Sequence, residues 1–270
     1  MGLTTLADGT PIHCLRRSEA LVLDQHVAGY FDHGVTLKDG DVVMDVGANV
    51  GVFAVRALQR LPRVRVIALE PVPDIFEVLK RNAADFGDGR LTPLRVGAGQ
   101  RPGELSFTYY PNSPALSTSK PGLFADNSEL FGSAVEGAIA NAPVWYARLV
   151  PRFLSGLIAR YLRLGARQVR AELRPISQIL REQGLDRVDL LKVDCEGAEL
   201  DALRGIDEEH WPHVRQVVAE VQDIDGRLAE VKALLLRHGL TRMTVAQEPG
   251  FESTSMYNVY AVRPTEEGDA

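Results

Sequence analysis

The chain has 270 residues, 45% of them hydrophobic, and a formal charge of -6: enough for one large core, but short for two full domains. Its acidic balance argues against a nucleic-acid partner, because such binding rests mainly on neutralising phosphates with Lys and Arg. Cys14 and Cys195 form no CxxC pair, so neither a disulfide framework nor a zinc site is indicated and a reducing cytoplasm is expected.

The opening MGLTTLADGT has no basic stretch leading into an apolar run, as a secretion signal would. No later segment approaches the roughly 20 consecutive apolar residues that cross a bilayer. The first 35 residues, with EALVLDQHVAGYF as a helix, read as a helical cap over a sheet. From 41 to 107 short apolar runs alternate with amphipathic ones: DVVMDVG, VFAVRALQRL, VRVIALE, DIFEVLKRNAADFG, LTPLRV. That order predicts βαβαβ and a parallel sheet covered by helices.

Between Tyr110 and Arg174 the alternation breaks. The loop PNSPALSTSKPG and a helical segment predict a helical lid inserted into the α/β core. From Trp145 onward it carries Arg148, Arg152, Arg160, Arg163, Arg167, Arg170 and Arg174 against the single acid Glu172. One reading is a solvated face whose apolar side (Leu149, Phe153, Leu157, Tyr161, Leu164) packs on the core. The other is a docking surface for an acidic carrier domain or an anionic membrane surface. The alternation then resumes with VDLLKVD, AELDALRGI, RQVVAEV and GRLAEVKALLLRHG, and TRMTVAQ and YNVYAVR close the chain as an antiparallel pair. A single domain spanning 1–270 follows.

Three motifs carry chemistry. In DVVMDVGANVG, Asp45, Gly47 and Gly51 sit where the first strand of the βαβαβ run meets its helix, the ligand position of open α/β sheets. Gly47 permits close backbone approach, and the amides at the helix start, with the Asn49 side chain, suit a carboxylate. Glu70 ends VRVIALE, 19 residues after Gly51, where an acid can accept hydrogen bonds from both hydroxyls of a ribose. A nicotinamide dinucleotide would use the same acid, but its pyrophosphate asks for G-x-G-x-x-G, and position 49 is Asn.

The third motif, LLKVDCEGAE, concentrates charge at the end of a later strand, where alternation sends Lys192, Asp194 and Glu196 to one side. Asp194 or Glu196 can position or deprotonate an acceptor hydroxyl; alternatively Lys192 pairs with them structurally. Glu199 reads as a surface or capping residue. Glu220, in AEVQD, is a further candidate base, and His26 in the cap helix is another. His210 and His213 flank Trp211 and Pro212 in a turn, and His238 suits a helix end.

DVGANVG, ALEP and LKVDCEGAELDALRG together resemble the FkbM family of methyltransferases, over about residues 36 to 222. The resemblance implies a class I, Rossmann-like sheet and S-adenosylmethionine as cofactor. Asp45, Gly47, Ala48, Asn49, Gly51 and Glu70 would hold it, with Pro71, Val72 and the turn at Gly97 and Ala98 near ribose and adenine. It further implies O-methylation of a polyketide or peptide intermediate, free or tethered to a carrier protein, with N- or C-methylation as the alternative. Tyr30, Tyr110 and Asn112 are the acceptor-pocket candidates. No metal is required; a cation-dependent variant would draw on Asp194, Glu196 and Glu220. A nicotinamide-dependent oxidoreductase and a non-enzymatic scaffold are the competing readings.

Overall fold

The structure, a computed structural model, describes residues 1–114, 117, 160–161, 163–248 and 254–264. At its centre is a seven-stranded sheet made of β3 (Val42–Val46), β4 (Arg65–Leu69), β5 (Leu91–Leu94), β9 (Leu190–Val193), β10 (Gln216–Gln222), β11 (Arg242–Ala246) and β12 (Met256–Val262). The spatial order is β11-β12-β10-β9-β3-β4-β5. Pairing is parallel from β10 through β9, β3 and β4 to β5, whereas β12 runs antiparallel to both β10 and β11. This is the mostly parallel, Rossmann-like sheet that the alternating pattern predicts, with the C-terminal antiparallel pair at one edge.

Helices cover both faces: α2 (Val52–Arg60) and α3 (Pro73–Phe86) on one, α4 (Ile176–Gln183), α5 (Glu199–Leu203) and α6 (Arg227–Arg237) on the other. A strand buried on both sides reads as a continuous apolar run. All five residues of β3 are buried; Val43 points into the α2–α3 core, while Val42, Met44 and Val46 point into the α4–α6 core. The same alternation puts Leu190 and Val218 on the α2–α3 side and Leu191, Val217 and Ala219 on the other. Each fully buried aliphatic side chain contributes roughly 1.5–3 kcal/mol relative to exposure.

The first 35 residues are not wholly helical. β1 (Gly2–Thr5) and β2 (Pro11–Cys14) form an antiparallel hairpin before α1 (Arg17–Gly29). Polar clips dock this cap. Asn82 on α3 accepts from the His13 amide at 2.8 Å and donates to the His13 carbonyl at 2.9 Å, and Arg56 on α2 donates to Asp24 on α1 at 2.6 and 2.8 Å.

The expected insertion also differs. Residues 167–174 are strand β8 (Arg167–Arg174), paired antiparallel with β7 (Gly103–Tyr109) and parallel with the two-residue β6 (Gly97–Ala98) in a small second sheet. The helical reading failed there because Arg167, Gln168 and Arg170 face solvent and dilute the strand's alternation. Tyr161 and Leu164 are 52% and 54% exposed rather than packed on the core. Arg167 is paired with Asp74 at 2.6 Å, and Arg174 with Glu172 and Glu182 at 2.7 Å each, so their charge is locally neutralised. Arg148, Arg152, Leu149, Phe153 and Leu157 lie outside the described residues.

Candidate active site

The sheet reverses its winding at β3, with β4 on one side and β9 on the other; the crevice at the strands' carboxyl ends is the ligand position of such folds. Gly47 follows β3 with φ of 76°. A Cβ there would stand 1.7 Å from the Asp194 carbonyl oxygen, so only glycine lets the two strand ends close up. The Gly47 and Ala48 amides donate to the Leu69 carbonyl at 3.1 and 2.9 Å, pinning the turn to β4. Asn49 adopts φ of 50°, its side-chain oxygen accepting from the Val50 amide at 2.7 Å, and Gly51 begins α2 as its N-cap.

Glu70 is buried at the end of β4, held by two backbone amides: Asn49 donates at 3.1 Å and Val72, the N-cap of α3, at 2.8 Å. Burial pushes its pKa up to about 7, against those two hydrogen bonds. Each carboxylate oxygen still has accepting capacity, as a ribose diol requires. Gly97 is strand rather than turn, and a Cβ on it would meet Leu173 at 2.7 Å and Pro71 at 3.5 Å. Gly97 therefore packs against Pro71, the residue after Glu70, and Val72 bonds Glu70 itself. A glycine cradle at Gly47, an acid presented between two amides and a small-residue wall at Gly97 fit S-adenosylmethionine.

Strand alternation assembles the charged row beside this cradle. Asp45 and Lys192 face each other in the β3–β9 register, two positions on from Val43 and Leu190, and so point to the α2–α3 side. Glu220 and Asn258 are likewise opposite each other in the β10–β12 pair, two positions from Val218 and Tyr260 on that same side. The Lys192 ammonium donates to the Gly47 carbonyl at 3.0 Å and pairs electrostatically with Asp45 at 3.1 Å and Asp194 at 3.3 Å. Burial opposes its charge, but the two carboxylates outweigh that and hold its pKa above the usual lysine range. The rings of Tyr30 and Phe53 flank it at 5.6 and 5.8 Å.

Tyr30, just after α1, points its hydroxyl at Asp194, 3.2 Å away, and lies 3.4 Å from Glu220. Burial and the adjacent Asp194 and Glu220 carboxylates raise its pKa well above 10. One helical turn earlier, His26 comes within 3.5 Å of Glu248. His26, Glu220, Glu248, Met256, Tyr257 and Asn258 line a small open cleft between α1 and the β10–β12 pair. Burial, then Asp194, Glu196 and Glu248, push Glu220 well above the usual carboxylate range.

Other expected site residues are placed differently. Glu196 lies beyond the end of β9, with a left-handed φ of 52°, so strand alternation does not govern its side chain. Burial and the carboxylates of Asp194 and Glu199 nonetheless raise its pKa strongly. Glu199 is buried, not on the surface; it accepts from the Gly197 amide at 2.7 Å and the Cys195 amide at 3.3 Å, shaping the loop after β9. Asn112 takes a hydrogen bond from Arg16 and donates to the Tyr161 and Leu164 carbonyls at 2.9 and 3.2 Å, so its amide clasps loop to cap and does not line the cleft. Tyr110 is buried beside it and also stands off the cleft. His210 caps and His213 ends a one-turn helix, and His238 stacks on Trp211 at 4.4 Å.

Sequence reasoning missed Glu248 and Asn258. Asn258 carried a usable signal: a polar residue at a core-facing position of the strand YNVYAVR. Glu248 carried none, because it follows β11 in irregular chain.

Comparison with known proteins agrees with this geometry. Residues 45–240 match the methyltransferase FkbM domain. The chain is 34% identical over 235 residues to the 31-O-demethyl-FK506 methyltransferase FkbM of Streptomyces tacrolimicus, covering 87% of this chain and 85% of that protein. It is 34% identical to methyltransferase sdnD of Sordaria araneosa, covering 85% of each. It is also 34% identical to a stretch of the AMB antimetabolite synthetase AmbE of Pseudomonas aeruginosa; that match covers 87% of this chain but 11% of the synthetase. The chain belongs to the FkbM methyltransferase domain family and is an S-adenosylmethionine-dependent methyltransferase.

Proposed function

We propose that the chain methylates a hydroxyl on a secondary-metabolite intermediate, with Glu220 as the base that receives the hydroxyl proton. The observation that carries this is the Glu220 carboxylate, lining the cleft and held well above the usual carboxylate range by burial and neighbouring acids. A carboxylate whose proton affinity is raised can take the proton that an alcohol must lose as it attacks. Asp45, Gly47, Ala48, Asn49, Gly51 and Glu70 hold S-adenosylmethionine, with Pro71, Val72, Gly97 and Ala98 around its nucleoside. When bound, it supplies an electrophilic methyl group on a sulfonium. Tyr30 and Asp194 orient Glu220, and His26 shapes the far wall. The likeness to the Streptomyces methyltransferase of a 31-O-demethyl metabolite supports oxygen as acceptor.

The match to part of a synthetase supports an acceptor presented on a carrier protein. Exposed Arg160, together with Arg163, is the proposed contact for an acidic carrier.

The test is transfer of label from methyl-labelled S-adenosylmethionine to hydroxylated acceptors, each offered free and carrier-bound, beside their deoxy counterparts. Glu220→Gln should lower kcat at least about 100-fold, the scale of a lost general base, and flatten the acid limb of the pH profile while S-adenosylhomocysteine still binds. Transfer to deoxy acceptors would overturn the oxygen assignment. Arg160→Glu with Arg163→Glu should slow only the carrier-bound reaction; equal slowing of both forms would sink the docking reading.

A further inference from the structure

The cleft beside Glu220 carries two carboxylates, Glu220 and Glu248, and no Lys or Arg among its lining residues. Glu248 Oε1 accepts from Asn258 Nδ2 at 3.1 Å, and Oε2 lies 3.5 Å from His26. Asn258 is 3% exposed, yet its Oδ1 accepts no hydrogen bond from any described residue. Leaving a buried amide oxygen unmade costs roughly 1–3 kcal/mol, so such an atom beside an open cleft points to a donor that arrives with a ligand. The same wall carries Glu220, directly opposite Asn258 in the strand register. Lys192, the buried ammonium of this face, is occupied by Gly47, Asp45 and Asp194. Among the described residues no Lys or Arg forms an ion pair with Glu220 or Glu248.

A group with several donors and a positive charge answers both deficits. A tightly held divalent cation is favoured where several oxygen or imidazole ligands converge on one point. Among the described residues the one such trio is Asp207, Glu209 and His210, away from the cleft. An ammonium is satisfied by a mixed set, since its three hydrogens accept an amide oxygen as readily as a carboxylate. We infer that the cleft takes a protonated primary amine of the methyl acceptor, held by the Glu248 carboxylate and Asn258 Oδ1, which makes the acceptor an amino alcohol. This rests on the hydroxyl-methylating function proposed above. A protonated amine has no lone pair, so the amine anchors while the neighbouring hydroxyl faces Glu220.

The decisive comparison uses two probes of one shape, 2-amino-1-propanol and 1,2-propanediol, titrated by NMR at pH 7 into the full chain saturated with S-adenosylhomocysteine. The amino alcohol should bind at least tenfold more tightly than the diol. Glu248→Gln and Asn258→Leu should each bring that preference within twofold, with S-adenosylhomocysteine affinity unchanged as the check on folding. The wild-type pair is informative without either variant. Equal affinity for the two probes, a preference that survives both substitutions, or magnesium binding lost on Glu248→Gln would overturn the inference. Failure of the wild-type chain to bind S-adenosylhomocysteine would instead sink the methyltransferase reading itself.

Discussion

Lys192 and Asp45 stand opposite each other in the register of β9 and β3, and their ion pair of 3.1 Å is closed off from water, Asp45 entirely so. The same ammonium bonds the Gly47 carbonyl, so one side chain neutralises the acid of the central strand and pins the glycine turn behind it. Its role is to shape the cradle; it does not contact the acceptor cleft.

Removing Lys192 alone should therefore be severe. Lys192→Met leaves Asp45 charged and unpaired at the centre of the sheet, a change of about 3–5 kcal/mol for a broken buried pair. Adding Asp45→Asn should recover a large part of that loss. Urea unfolding of both single variants and the double variant measures the coupling; additive losses would mean the pair does not act as a unit.

Glu70 ties the cofactor site to pH. Its folded pKa of about 7 lies above its ordinary 4.5, so between those values the native state keeps a proton that the unfolded chain releases. Stability of the unliganded protein must then fall as pH rises through that window and level off above it, by about 3 kcal/mol if this group acts alone. Glu70→Gln should remove that slope in melting temperature against pH while weakening S-adenosylhomocysteine at least tenfold. An unchanged slope would show that other buried acids dominate.

Gly47→Ala tests the cradle. The added methyl carbon would lie 1.7 Å from the Asp194 carbonyl at a φ of 76°, strained in both space and backbone. The expected loss is at least about 2 kcal/mol, with S-adenosylhomocysteine binding abolished at temperatures where the chain still folds. Gly184→Ala, which has a positive φ but nothing within 4 Å of the added carbon, is the control and should cost less.

Local signals in the chain were enough to determine the parallel sheet, its helices and the C-terminal antiparallel pair, because strands buried on both faces leave continuous apolar runs whatever surrounds them. They also marked Gly47, Glu70 and the acids near β9, since a tight turn or a charge closing an apolar strand stands out locally. Tertiary structure alone decided the rest. It made Arg167–Arg174 a strand, because β7 and β6 supply its partners from some 60 to 75 residues away. It tied Asn112 to Arg16 and the Tyr161–Leu164 turn, and it brought Glu248 against both His26 and Asn258. Such contacts depend on how elements cross in space, and hydrophobic periodicity encodes which face of an element is buried but not what it meets there.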